Sequence, residues 1–277
     1  MTSGAAGTAK AIGELHRRLV ALDDLRPGPE VDGIFDALVA LALHTPPDVA
    51  ATVLADPAIA ALRPGLVELS ARAEYQLELA WAERIADAAD PRAELERFPY
   101  VENYRRLVEV EGAHATAAAR RPGRPIRRAL FVGSGPLPLS PVLLAARLGV
   151  PVDSLDRDPA AVHVARRVAA LDGGPVRFVV RDLLAADDLS AYDLVVLAAL
   201  VGLDSAGKQR GLAHLARVCA PGTLVLARSA HLLKTLLYPE VELPAGSGGP
   251  ALGLELLDVV HPRPPVINSI VLACVLP

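Results

Sequence analysis

The stretch ALFVGSGPLPLSPVLLA, residues 129–145, decides the fold class of this chain. It runs from an apolar segment through two glycines and two prolines into a second apolar segment, which is typical of a buried strand that ends in the glycine turn of a nucleotide-binding α/β domain. A turn that binds a dinucleotide has a third glycine where this sequence has Pro138, because the following helix must lie close to the strand and donate amides to a pyrophosphate. The turn therefore favours an adenosine compound with an amino-acid tail, such as S-adenosylmethionine, over NAD.

Short β-type runs alternate with helix-length segments from residue 129 onward. Five of these runs are apolar on both faces and are predicted to be strands: Ala129–Val132, Val152–Leu155, Val176–Val180, Leu194–Ala198 and Leu224–Ala227. Because strands of this kind form parallel sheets between helices, they predict a Rossmann-like α/β fold of the class I S-adenosylmethionine-dependent methyltransferase type. Two later runs, Leu252–Val260 and Asn268–Val275, are predicted to form an antiparallel pair at the sheet edge.

The first part of the chain has a different character, since it is rich in Ala, Leu and Glu and has apolar residues every three or four positions. This spacing predicts amphipathic helices. The spaced residues include Ile12, Leu15, Leu19, Leu22, Ile34, Leu38, Leu41, Leu66, Leu69, Ala73, Leu77, Ala80 and Trp81. The polar segment RRPGRP, residues 120–125, is interpreted as a linker. We therefore predict a helical lid or acceptor domain over residues 1–120 and a Rossmann-like S-adenosylmethionine-binding domain over residues 121–277.

Composition limits the possible functions. The chain has 277 residues, 52% hydrophobic and 22% charged, with a formal net charge of −4, which gives no argument for nucleic acid or an anionic membrane as partner. The first twenty residues lack a signal-peptide core, and the longest apolar run is far below the roughly 20 residues that cross a bilayer, so we expect a cytoplasmic protein. The seven histidines show no metal-ligand spacing, so no metal is expected, and Cys219 and Cys274 are expected to be reduced thiols.

Polar and small residues stand where the predicted strands end, which is where open α/β sheets bind ligands. Gly133 and Gly135 allow a ligand to approach the backbone, and the next helix start offers free amides. Asp156 can accept both hydroxyls of a ribose, and Asp182 is placed to meet an adenine amino group, although either residue could instead cap a turn or helix. The predicted cofactor-binding residues are Gly133, Ser134, Gly135, Pro136, Asp156, Asp182, Leu183, Ala198 and Ala199.

Five motifs in order resemble the nicotianamine synthase family, and in particular bacterial nicotianamine synthase-like aminocarboxypropyltransferases. They are FPYVENY (98–104), FVGSGPLPLS (131–140), LAALVGLD (197–204), RSAH with LYP (228–231 and 237–239) and VINS (266–269). The resemblance covers nearly the whole chain. Val101 stands where the family pattern has a second aromatic residue, so the shape of the acceptor pocket and the acceptor itself stay open.

The resemblance implies a transferase in which an amine attacks the γ-carbon of the methionine chain of S-adenosylmethionine. The 3-amino-3-carboxypropyl group then moves to the amine, methylthioadenosine leaves, and the product is a metallophore or its precursor. S-adenosylmethionine is thus a substrate, and the partner is a small-molecule amine, an amino acid or a second S-adenosylmethionine-derived unit; a homodimer is possible. Three alternatives stay open: intramolecular cyclisation to azetidine-2-carboxylate, an ordinary methyltransferase, and a binding protein that senses S-adenosylmethionine.

Transfer to an amine requires a base, because an amine with a pKa of roughly 8 or above is mostly protonated at neutral pH. Glu74 and Glu78 lie one helical turn apart beside apolar residues, although they could equally form a solvated helix surface. The family pattern implies a catalytic Glu on this helix and a Tyr in the FPY motif. These match Glu74 and Tyr100, with Tyr104 behind, unless the tyrosines only pack an interface.

Other polar residues are expected to bind substrate. They are Glu78, Asn103, Arg228, His231 and Tyr238. Arg228 or Tyr238 could hold a carboxylate. A single histidine in this place is more often structural, so both interpretations of His231 stay open, and Asn268 could be either a cap or a binding residue.

Overall fold

The computed structural model describes residues 3–120, 124–170, 176–242 and 252–277. Six helices come before the sheet, as the apolar spacing predicts. They are α1 (Ser3–Val20), α2 (Pro29–His44), α3 (Pro47–Leu54), α4 (Pro57–Asp87), α5 (Pro91–Leu95) and α6 (Val101–Arg120). Helix α4 begins where the Asp56 side chain accepts a hydrogen bond from the Ala58 amide and Pro57 occupies the first turn, which satisfies one free amide and places proline where it needs no donor.

Seven strands form one sheet, and the predicted fold class is confirmed. The strands are β1 (Ala129–Val132), β2 (Val152–Asp156), β3 (Val176–Val180), β4 (Leu194–Leu197), β5 (Leu224–Ser229), β6 (Leu254–Val260) and β7 (Ser269–Val275). Their order is β3-β2-β1-β4-β5-β7-β6. The first five are parallel, and β7 pairs antiparallel with both β5 and β6. Winding reverses between β1 and β4, so the ligand site is expected outside their carboxyl ends.

Helices cover both faces of the sheet and bury alternate residues of its strands. On β1, Ala129 and Phe131 contribute to the core beneath α6 and α7 (Leu139–Leu148), while Leu130 and Val132 contribute to the core beneath α9 (Ser205–Val218). The eighth helix, α8 (Pro159–Ala169), begins with the Asp158 side chain accepting from the Ala160 amide. This layering explains why the central strands are apolar on both faces.

The predicted division at residue 120 falls after a helix that packs on the sheet. Helix α6 buries Leu107, Val108 and Ala115 in the same core as Phe131. In the other direction, the 3₁₀ helix Leu232–Leu236 after β5 packs into the core of the first helices. Residues 121–123 of the predicted linker lie outside the described residues. The division into two domains therefore stays a prediction, with elements of each packed against the other.

No single helix in the described ranges is long and apolar enough to cross a membrane. Helices α2 and α3 pass such a test only when taken together, and the chain bends by 116° between them. Buried residues of both, among them Ile34, Leu38, Ala50 and Val53, belong to the core that they share with α1 and α4.

Candidate active site

A cavity of about 890 Å³ lies between the helices α2, α4 and α6 and the carboxyl ends of the parallel strands. This is where an α/β sheet of this winding binds ligands, and its size suits a small organic molecule. The predicted site residues that line it are Glu74, Glu78, Tyr100, Asn103, Tyr104, Gly133, Ser134, Gly135, Asp156, Asp182, Leu183, Ala198, Ala199, Arg228 and Tyr238. Sequence reasoning therefore assembles most of one site from residues up to 164 positions apart.

The glycine turn after β1 forms part of the cavity wall. Gly133 and Gly135 have φ angles of 85° and 62°, in the left-handed region that favours glycine. A Cβ on Gly133 would overlap the Val201 side chain, and one on Gly135 would overlap Oε2 of Glu78. The buried hydroxyls of Ser134 and Ser140 have no hydrogen-bond partner among the described residues. A turn with no room for side chains and with free polar atoms fits the backbone approach of an adenosine compound.

Asp156 acts as a turn residue and also lines the cavity. Its Oδ2 accepts from the Gly135 amide at 2.9 Å and its Oδ1 accepts from the Asp158 amide at 3.0 Å. Each carboxylate oxygen has a further lone pair, so these bonds leave acceptors for ribose hydroxyls. Asp182 likewise accepts from the Leu184 amide at 2.8 Å and lines the cavity. For both residues the capping interpretation is confirmed, and nucleoside binding stays a prediction.

Helix α4 presents two carboxylates to the cavity, each bonded to a tyrosine hydroxyl. Tyr238 donates to Oε2 of Glu74 at 2.6 Å, and Tyr104 donates to Oε1 of Glu78 at 2.6 Å. Burial raises the pKa of Glu74 above that of an ordinary glutamate. Burial and the neighbouring charge of Glu74 raise the pKa of Glu78 well above its usual value. Two buried carboxylates that act on each other in this way share a proton more readily than a single carboxylate takes one up.

Glu74 and Tyr100 both match the family pattern but do not form a hydrogen bond with each other. Glu74 instead accepts from Tyr238 of the LYP motif. Tyr100 lines the cavity nearby, where burial and the charges of Asp36, Glu74 and Asp32 raise its pKa to about 12. Its hydroxyl is therefore a neutral donor at physiological pH. Glu74 and Tyr100 both line the cavity, and their catalytic roles stay predictions.

Arg228 is held by a carboxylate of the protein. Its guanidinium forms two hydrogen bonds with Glu111 of α6, at 2.7 and 3.0 Å, and both side chains are buried. The charge of Arg228 lowers the pKa of Glu74 and Glu78, opposing the effect of burial. Because these two hydrogen bonds hold the guanidinium to Glu111, the role of Arg228 at the cavity wall is electrostatic. Its predicted hold on a substrate carboxylate stays untested.

Asn103 positions the chain before β7. Its Oδ1 accepts from the Ile267 amide at 3.0 Å, which holds the VINS segment against α6. The next residue, Asn268, lines the cavity, and its buried Nδ2 has no partner among the described residues. A buried donor without a partner at a cavity wall is a binding group for a polar ligand.

Two predicted site residues do not lie at the cavity. Pro136 is buried behind the glycine turn and is absent from the cavity wall. His231 stacks on His261 with ring centroids 4.0 Å apart, which directs it away from the cavity wall. The stack fits the structural interpretation of His231, and its contact with substrate stays a prediction. Among the described residues, no group of three or more His, Cys, Asp or Glu side chains is arranged to hold a metal ion.

Three functional features were missed in the sequence. Tyr75, next to Glu74, donates to Oδ2 of Asp158 at 2.7 Å and so joins α4 to the β2 loop. Asp32 and Asp36 of α2 line the cavity, where their four-residue spacing was the available signal. Lys208 of α9 is buried and donates to the Ala198 carbonyl at 2.8 Å, beneath the β4 loop. No local pattern marks Lys208, since lysine on a helix is usually exposed.

Comparison with known proteins identifies the family of this chain. A family model described as "Nicotianamine synthase protein" matches residues 3–276. The chain belongs to the nicotianamine synthase family. Nicotianamine synthase 9 of Hordeum vulgare is 37% identical over 273 residues, which cover 96% of this chain and 76% of that protein.

Solved structures with the same fold are known. The crystal structure of MtNAS in complex with MTA and tNA has a TM-score of 0.82 and 23% sequence identity, and the match covers 97% of this chain and 98% of that one. A point mutant of MtNAS in complex with S-adenosylmethionine has a TM-score of 0.79 with the same identity and coverage. These likenesses confirm the fold, including the helices that come before the sheet.

Proposed function

We propose that this chain is a nicotianamine synthase-like enzyme that transfers the 3-amino-3-carboxypropyl group of S-adenosylmethionine to an amine and releases methylthioadenosine. Membership of the nicotianamine synthase family supports the proposal, as do the complexes of MtNAS with S-adenosylmethionine and with MTA. The observation that carries it is the pair Glu74 and Glu78, whose carboxylates line the same cavity as the Gly133–Gly135 turn. The turn suits the nucleoside, and the carboxylates supply the base that amine transfer needs.

The residues fit the nucleoside part of S-adenosylmethionine. Gly133 and Gly135 provide a backbone surface without side chains, and the unpartnered hydroxyls of Ser134 and Ser140 offer hydrogen bonds beside it. Asp156 would accept the ribose hydroxyls with its remaining lone pairs, and Asp182 would accept from the adenine amino group. Because Pro138 ends the turn before α7, a pyrophosphate would lack the amide that it needs.

Transfer is a displacement at the γ-carbon. The lone pair of the acceptor nitrogen forms the new C–N bond, the C–S bond breaks, and its electron pair leaves on the sulfur as the neutral thioether of methylthioadenosine. The nitrogen must lose one proton to become a neutral amine. We assign this proton to Glu74, the match to the catalytic Glu of the family pattern, and infer that Glu78 keeps the proton that two coupled buried carboxylates share.

The tyrosines orient these groups. Tyr238 and Tyr104 each hold one carboxylate at 2.6 Å and remain neutral, because burial and the adjacent carboxylates raise their pKa values well above 10. The Tyr100 hydroxyl has no hydrogen-bond partner among the described residues and is free to contact the acceptor amine. A product with several amines and carboxylates chelates metals after release, which fits metallophore biosynthesis. The acceptor, the cytoplasmic location and a homodimer stay predictions.

Product analysis tests the proposal. The purified chain would be incubated with S-adenosylmethionine, with and without candidate amino acids such as histidine, and the products identified by mass spectrometry. Methylthioadenosine together with an aminocarboxypropyl adduct of an amine is the expected result. S-adenosylhomocysteine as the main nucleoside would overturn it in favour of a methyltransferase. Azetidine-2-carboxylate as the only amino-acid product would replace transfer by cyclisation, and binding without any product would indicate a sensor.

A further inference from the structure

We infer that Asp32 and Asp36 form a cation-binding subsite that selects an acceptor with a second positive charge besides the reacting amine. The inference rests on the proposed function, because it concerns the second substrate of that reaction. The two carboxylates lie one turn apart on α2 and both line the cavity. Residues at this spacing share one helix face, so a single cation can reach both.

The two carboxylates lie near the proposed base. Their charges and that of Glu74 all act on the Tyr100 hydroxyl, which places α2, α4 and the FPY motif around one region of the cavity. Asp32 and Asp36 are exposed, and among the described residues neither carboxylate forms an ion pair or a hydrogen bond. Solvent or a ligand in the cavity is therefore the partner available to them.

The cavity wall also contains buried polar atoms that have no hydrogen-bond partner among the described residues. The Ser70 hydroxyl and the Asn268 amide nitrogen are buried and unpartnered, and both residues line the same cavity. Ser70 and Asn268 are 5% and 6% exposed, so water reaches them only through the cavity. Buried polar atoms without partners are rare in proteins, and at a cavity wall they indicate a polar ligand. These atoms are independent of the aspartates and likewise indicate a polar ligand.

The region around Tyr100 differs from the nucleoside end in its charges. At the nucleoside end the cavity is lined by both signs of charge: Arg157, Arg181, Arg210, Asp156, Asp158, Asp182 and Asp204. The charges that act on Tyr100 are those of Asp32, Asp36 and Glu74, and Arg228, which acts on Glu74, is bonded to Glu111. A dicarboxylic acceptor would meet repulsion here, whereas an ammonium or sulfonium group would be attracted. The subsite therefore favours diamino acids or a second S-adenosylmethionine over acidic amino acids.

Binding of matched amino acids tests the inference without turnover. Calorimetry in the presence of methylthioadenosine would compare L-lysine with L-norleucine, and L-2,4-diaminobutyrate with L-2-aminobutyrate. Each pair differs by the distal ammonium group. We expect the wild-type chain to bind at least one diamino acid about tenfold more tightly than its neutral counterpart, in the range for a hydrogen bond to a charged group. The Asp32→Asn/Asp36→Asn double variant should lose that preference and keep its affinity for methylthioadenosine.

Asp23→Asn/Glu30→Gln is the matched control, because it also removes two negative charges and both residues are exposed and do not line the cavity. This variant should keep the tenfold preference, which excludes an effect of net charge alone. Equal binding of diamino acids and neutral analogues by the wild-type chain, or equal losses for both classes in the double variant, would overturn the inference. Because the measurement needs no product, it separates the two proposals: absence of methylthioadenosine formation would contradict the function, and loss of the preference would contradict the subsite.

Discussion

The backbone of Gly135 lies against the carboxylate of Glu78 so closely that a Cβ atom at position 135 would overlap Oε2. This contact joins the glycine turn of the sheet to the long helix α4. A residue that sequence reasoning assigns to nucleoside binding thus also makes room for a carboxylate of the proposed catalytic pair. The turn and the pair form one site, so a change in either should affect both nucleoside binding and turnover.

The substitution Gly135→Ala tests this contact. We expect it to lower the formation of methylthioadenosine by at least tenfold, because the new methyl group must displace Glu78 or the turn. The alanine also adopts a φ of 62°, which costs about 1 kcal/mol of stability. Initial rates and chemical denaturation measure the two effects.

Gly149→Ala provides the control for backbone strain. Gly149 has a φ of 66° and no atom within 4 Å of a Cβ at that position. This variant should lose similar stability and keep its activity. Equal activity in the two variants would mean that the approach of Glu78 to the turn has no part in catalysis.

The buried pair of Glu111 and Arg228 should be costly to break. Glu111→Leu leaves the buried Arg228 guanidinium without its hydrogen-bonded carboxylate and with only the more weakly interacting Glu74 nearby, so the free energy of unfolding should fall by about 3–5 kcal/mol. The double variant Glu111→Leu/Arg228→Met should recover part of this loss, since it leaves no unpaired charge. Urea denaturation of the two single variants and the double variant measures the coupling.

An exposed pair on the same helix gives the comparison. Arg106 and Glu102 of α6 are 55% and 53% exposed, so Glu102→Gln should cost less than about 1 kcal/mol. If Glu111→Leu also lowers the free energy of unfolding by less than about 1 kcal/mol, solvent reaches Arg228 and screens its charge.

Burial makes Lys208 responsive to pH. Burial and the charge of Arg228 lower its pKa from 10.5 to about 7, while the unfolded chain keeps the ordinary value. Below pH 7 Lys208 is charged in both the folded and the unfolded chain, so the cost of burying its charge lowers the stability in full. Between about pH 7 and 10 the folded lysine is neutral while the unfolded one is still charged, so this cost is relieved as the pH rises. We expect the stability of the wild-type chain relative to Lys208→Met to rise by about 1 kcal/mol per pH unit between about pH 7 and 9. A difference that does not vary with pH would show that Lys208 stays charged when folded.

The sequence predicted the sheet because its signals are local. Apolar runs such as Ala129–Val132 mark buried strands wherever the rest of the chain lies, and the Gly133–Gly135 turn needs a special backbone at that position. The domain boundary was harder to predict. The apolar face of α6 shows that the helix is buried, but not whether it packs on the sheet or on the other helices.

The sequence predicted most of the residues that form the site, but not which of them are hydrogen-bonded to each other. Glu74 and Glu78 are revealed by their four-residue spacing, whereas the bond from Tyr238 to Glu74 joins residues 164 positions apart. Such a partner depends on how the segment after β5 returns to the helices, which no local pattern encodes. For the same reason His231, seven residues before Tyr238, could not be assigned to the cavity or to its stack on His261.

Glutamine variants of Glu74 and Glu78 identify the base. If Glu74 takes the amine proton and Glu78 keeps the proton that the pair shares, Glu78→Gln imitates protonated Glu78 and should keep turnover within about tenfold of wild type. Glu74→Gln removes the group that takes the amine proton, and turnover should fall by roughly 10²–10⁴-fold, the usual contribution of general acid–base catalysis. Binding of S-adenosylmethionine, measured by calorimetry, should be retained in both variants. Rapid-quench measurement of methylthioadenosine separates the chemical step from product release.

The pH profile adds a second readout to the same prediction. Burial raises the pKa of Glu74, so kcat should fall as the pH is lowered through a value above 4.5. Tyr238 donates to the carboxylate and opposes this shift, so Tyr238→Phe should move the acid limb of kcat to higher pH. Glu74→Gln should abolish that limb, and adding Tyr238→Phe to it should change little, because both act on one proton. If Glu78→Gln loses the acid limb and Glu74→Gln keeps it, the two carboxylates have the opposite roles.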